Sequence, residues 1–105
     1  MTDAQDKTAA LLAKLWVKIQ PLVEQRLATL DQAAAAAAAG NLSEDLRKQA
    51  AGDAHKLAGS LGMYGYDEGT RIARDLEVLL GGANPSPERL SVLIAELRAA
   101  VFPKA

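Results

Sequence analysis

Seven consecutive alanines, Ala33 to Ala39, stop at Gly40, and this run constrains the fold more than any other stretch of the chain. Alanine has the highest helix propensity of any residue, and a glycine just past such a run ends the helix by entering the left-handed region without steric cost. The run therefore predicts a helix C-terminus whose small side chains let a neighbour come close. The composition agrees. Alanine and leucine dominate, the 105 residues are 50% hydrophobic, and only 4% are aromatic, a balance that favours helices with small-residue seams over a sheet. A chain of this length holds one core and one domain.

Elsewhere the helices are marked by period and by their ends. Ala9, Leu12, Leu15, Trp16 and Ile19 recur at three and four, which predicts an N-terminal helix over about 4–20. Pro21 lacks the donor for an i−4 carbonyl, so a break or kink is expected there, with a new helix from Pro21 to Ala39. Asn41 and Ser43 offer side-chain oxygens to orphan amides, and Glu44 stands three after Asn41 as in a capping box; the helix they start runs to about Tyr64, where Gly65 breaks it. Asp67 and Glu68 place carboxylates at the positive end of the next helix, which reaches Leu80 and stops at Gly81-Gly82. After the loop Ala83-Asn84-Pro85, Ser86-Pro87-Glu88 combines an N-cap oxygen, a proline at the first helical position and an acid in the first turn. The last helix then runs from Pro87 to Val101, before Pro103. The expected architecture is all-α: an antiparallel four-helix bundle over about 21–102 with an additional N-terminal helix.

Charge and residue usage remove several functions. With 12 basic and 13 acidic side chains the chain has no surplus to grip a nucleic-acid backbone or an anionic membrane. The absence of cysteine excludes disulfides, thiolate metal sites and cysteine nucleophiles. With a single histidine, no Glu-x-x-His pair of a carboxylate-bridged metal bundle and no Ser/His/Asp arrangement can be picked out, and no glycine-rich phosphate loop follows a strand. The start Met1-Thr2-Asp3-Ala4-Gln5-Asp6-Lys7 is not the basic-then-apolar order of a signal peptide, and no apolar run approaches ~18 residues. A cytoplasmic monomer without a bound cofactor or metal is the expectation.

The lone histidine is the residue of interest. At about 100° per residue, Leu46, Ala50, Ala54, Leu57, Leu61 and Tyr64 fall on one stripe of their helix, and His55 lies about 150° from its middle. The ring is therefore expected to face solvent or a partner. Its outward neighbours are Lys48, Ala51, Gly52, Gly59 and Gly62, nearly all small. A glycine inside a helix costs ~1 kcal/mol relative to alanine, so three of them need an offsetting reason. Close approach of another molecule is one; tight packing within the protein is the other.

The stretch Ala54-His55-Lys56-Leu57-Ala58-Gly59-Ser60-Leu61-Gly62-Met63-Tyr64-Gly65, followed by Ile72-Ala73-Arg74-Asp75-Leu76-Glu77, resembles the histidine-containing phosphotransfer (HPt) domain of bacterial two-component phosphorelays. His55, Leu57, Gly59, Ser60, Tyr64, Gly65, Leu76 and Glu77 match the family pattern. Ala58 departs from it, standing where family members commonly carry lysine; Lys56 is about 100° around the helix from His55, and Lys48 is two turns away.

The resemblance implies a phosphorelay intermediate without independent turnover. His55 would accept a phosphoryl group from the aspartyl phosphate of one receiver domain and pass it to, or take it from, another. Response-regulator receivers and a hybrid or sensor histidine kinase would be the partners, with Mg2+ held by the receiver. Gly59 would admit the partner's backbone, Ser60 would fix the helix through its hydroxyl, and Glu77 would lie near the ring from the next helix. A back-bonded hydroxyl and a solvated carboxylate are the plainer readings of those last two. The competing function is a helical docking or adaptor module that binds a receiver or kinase without being phosphorylated.

Overall fold

The computed structural model describes the backbone of residues 3–102 and the side chains of residues 7–102; the expected helix stop before Pro103 lies at the edge of this range. Within it the chain forms α1 (Asp3–Ala38), α2 (Glu44–Leu61), a single 3-10 turn (Gly62–Tyr64), α3 (Asp67–Leu80) and α4 (Pro87–Val101). No strand occurs among the described residues. α1 packs on α2 and α4, and α3 closes the ring by packing on the same two, so the expected four-helix bundle is the architecture found.

The separate N-terminal helix is not. α1 runs unbroken through Pro21 for 36 residues. The proline deprives the Val17 carbonyl of its helical partner, but both residues are exposed and water can satisfy that group. On the opposite side Trp16 and Ile19 before the proline and Val23, Leu27 and Leu30 after it pack in the same core. Burial before and after Pro21 keeps the helix continuous, which the local rule for proline cannot foresee.

The remaining ends follow local chemistry. Gly40 adopts φ +74°, its amide donates to the Ala37 carbonyl at 3.1 Å and the Asn41 amide to that of Ala36 at 2.9 Å, a Schellman closure of the alanine run. Gly65 at φ +87° repeats it, with Tyr66 donating to Leu61, and tightens the last turn before Tyr64 into 3-10 geometry. Ser43, rather than Asn41, caps α2, accepting from the Leu46 amide at 3.1 Å. Glu44 accordingly turns to Arg47 instead of closing a capping box. That guanidinium holds the Glu44 carboxyl below the usual carboxylate range. Ser86 caps α4 through the Arg89 amide, with Pro87 in the first turn as expected.

Two devices set how α2 lies against α3. Arg47 in the first turn of α2 donates to the Leu80 carbonyl at 2.7 Å, placing a cation on the negative end of α3. Near the other end, Gly69 of α3 is buried where a β-carbon would stand 3.0 Å from Val101 and 3.3 Å from Leu61, so the missing side chain lets α2, α3 and α4 meet closely. The chain's Trp16, Tyr64, Tyr66 and Phe102, which are all its aromatic residues, gather at this end with Trp16 4.8–5.8 Å from the other three rings. The register so fixed runs antiparallel, and it brings the middle of α2 beside the second half of α3.

Candidate functional site

His55 projects from α2 with its side chain 73% exposed. Across the helix pair, Glu77 of α3 brings its Oε2 to 2.9 Å from the ring Nδ1. A carboxylate only accepts, so the neutral ring carries its proton on Nδ1 and donates it to Glu77. The second ring nitrogen, Nε2, is then left with a free lone pair. One residue from each of two helices thus produces an accessible nucleophile of defined tautomer and orientation.

A shallow hollow of about 340 Å³ surrounds the ring, lined by His55, Ala58, Gly59, Arg74, Glu77 and Val78. Four of the residues singled out in the sequence meet here. Gly59 is exposed, and a β-carbon on it would have nothing within 4 Å; the same is true of Gly52, one turn before the histidine. Packing within the protein therefore explains neither glycine, and the open surface beside the ring is what their small size provides.

Other expected members are placed elsewhere. Gly62 has its missing side chain directed at Thr70 Oγ1, 3.2 Å from where a β-carbon would stand, so its size serves the contact between α2 and α3. Ala58 is only 7% exposed and forms the floor of the hollow as part of the core. Ala51 is half-buried against that core. Lys56 lines a different hollow, between α1 and α2, with Asp53 and Gln25. Lys48 is exposed in the early turns of α2, where its charge acts on Glu44. The Ser60 hydroxyl makes only a long 3.5 Å contact to the Leu57 carbonyl of its own helix.

Two residues of the hollow escaped the sequence reading. Arg74 and Val78 flank Glu77 on α3, one turn before and one residue after, and Val78 is 80% exposed. A helix wheel shows them near Glu77, but only the pairing of α3 with α2 sets them beside the histidine. Among the described residues no group of three or more His, Asp or Glu side chains is arranged to hold a metal ion, and no helix is long and apolar enough to cross a membrane.

Comparison with known proteins agrees with the bundle and its motif. A family model described as Hpt domain matches residues 14–101. Over 81 residues the chain is 35% identical to Protein RcaC of Microchaete diplosiphon, a match that takes in 77% of this chain and 12% of that protein. This chain thus corresponds to a small part of its relative. No solved structure gives a significant match. The chain belongs to the Hpt domain family, helical bundles that take part in phosphotransfer within phosphorelays together with receiver domains and kinases.

Proposed function

We propose that His55 is the phosphoacceptor of a phosphorelay, taking a phosphoryl group from the aspartyl phosphate of a receiver domain and exchanging it with another receiver. The observation that carries this reading is the exposed ring with its Nδ1 held 2.9 Å from Glu77. In the step, Nε2 attacks phosphorus in line with the acyl-phosphate bond. The N–P bond forms as the P–O bond to the receiver's aspartate breaks, and the carboxylate leaves with the electron pair. Nδ1 keeps its proton throughout, so positive charge develops on the ring, and Glu77 is placed to stabilise it. Mg2+ and the acidic pocket belong to the receiver. Gly52 and Gly59 leave room for its backbone, and Val78 offers an apolar contact at the rim.

Incubation with a receiver carrying labelled aspartyl phosphate and Mg2+ tests the reading. Acid-labile label is expected on the wild-type chain and none on His55→Gln, with the helical dichroism and melting temperature of the two alike, because an exposed ring leaves no cavity when removed. A His55→Gln variant that takes up label at the wild-type rate shows that the acceptor is elsewhere. Receiver binding without label on either chain assigns the protein the docking role instead.

A further inference from the structure

Glu77 creates an electrostatic difficulty for the state that the proposed function requires. Its carboxylate suits the unphosphorylated ring, but a phosphoryl group on Nε2 adds up to two negative charges to a hollow that already holds one. Residue 58, one turn along the helix from His55, is an alanine in the floor of the hollow and brings no compensating charge. Neither lysine of α2 singled out near the histidine lines the hollow: Lys56 borders the α1–α2 hollow and Lys48 lies two turns away.

Among the six lining residues Arg74 alone is cationic. It stands three before Glu77 on α3, the spacing at which an arginine and a glutamate ordinarily pair on a helix surface. They do not pair here, because the Glu77 carboxylate turns across to His55. The Arg74 side chain is exposed and has no hydrogen bond or ion pair among the described residues. Its neighbour Arg71 is the opposite case, with its guanidinium shared between Glu68 and Asp75.

We propose that Arg74 binds the phosphoryl group of phosphorylated His55, so that the positive charge at this site comes from α3 and not from the helix that carries the histidine. The inference rests on His55 being the phosphoacceptor. A guanidinium fits the role: its planar fork matches two phosphoryl oxygens, it stays charged at every working pH, and its long stem reaches from the rim. Val78 and Ala58 give the pair an apolar border, and Glu77 keeps the ring oriented while Arg74 takes the group attached to it.

The test follows the lifetime of the label. Wild type, Arg74→Gln and, as a control, Arg26→Gln on α1 are loaded from a phosphorylated receiver, separated from it, and the loss of acid-labile label is timed at low and at high salt. Arg74→Gln is expected to lose label about two- to fivefold faster than wild type at low salt, and the gap should close as salt is raised, as for an exposed charge pair. Arg26→Gln should follow the wild type. Equal lifetimes for Arg74→Gln and wild type at low salt overturn the proposal while leaving His55 as acceptor. So does a faster loss that is independent of salt and accompanied by a lower melting temperature, which marks Arg74 as structural. A wild-type chain that takes no label at all removes the phosphoacceptor reading, and this inference with it.

Discussion

On one side of α2, Ala50, Ala54, Leu57 and Leu61 are almost wholly buried, and each side chain's size is dictated by what it meets in the core. On the other, Gly52 and Gly59 face open space, and the exposed ring of His55 is hydrogen-bonded to Glu77. The helix is built from small residues on both sides, for different reasons. The inner alanines allow neighbouring helices to approach, whereas the outer glycines have no neighbour within the protein and lower helix propensity without any gain in packing. Under the proposed function, the space that these glycines leave is where the receiver docks.

Substitutions that treat the two faces alike should expose the contrast. The largest effect is expected inside: Leu57→Ala removes a fully buried side chain from the core. It should cost ~2–5 kcal/mol by chemical denaturation, with loss of label acceptance only in proportion to the unfolded fraction. A cost below ~1 kcal/mol would mean that the inner face is not packed as described.

Gly59→Glu sharpens the comparison from outside. The helix has room for the side chain, so melting should be unchanged or slightly raised, yet a long acid one turn from His55 obstructs and repels an acidic receiver pocket. Transfer is expected to fall about tenfold or more, a change of ~1.4 kcal/mol. If instead the variant melts well below wild type while transfer per folded molecule is preserved, Gly59 belongs to the inner face and the contrast fails.

The smallest effect is expected at Gly52→Ala. A methyl group there meets nothing within 4 Å and the helix gains an unstrained alanine, so stability should rise by ~0.5–1 kcal/mol. Any slowing of transfer should be modest and separable from the gain. A drop in melting temperature would show that the open space is filled in solution.

Residue chemistry along the chain explains which parts of this were legible in advance. Gly40 and Gly65 each end a helix because only glycine adopts their positive φ freely, and Ser43 and Ser86 begin one because a hydroxyl satisfies an orphan amide; such events are complete within a few residues. The outward direction of His55 follows from 3.6-residue periodicity alone. The proximity of Glu77 came from the family motif, and the structure supplies the 2.9 Å contact that gives it a chemical role.

What the sequence could not disclose depends on elements far apart in the chain. The unbroken course of α1 through Pro21 reflects burial on both sides of the proline, and the assignment of Gly62 to Thr70 and of Lys56 to the α1 side reflects which helix lies next to which. Arg74 is the clearest case. In sequence it is one of two arginines on α3, and only the register set by the Arg47–Leu80 contact and the close approach at Gly69 brings it to the hollow around His55. By itself the sequence determined the helical class, the helix ends at Gly40, Ser43, Gly65 and Ser86, and the side on which the histidine emerges, because these follow from backbone geometry and hydrogen bonds over a single turn. Tertiary structure alone decided that Arg74 joins Glu77 in the histidine's surroundings and that Lys56 does not, because helix register is settled by close packing between side chains that the sequence keeps tens of residues apart.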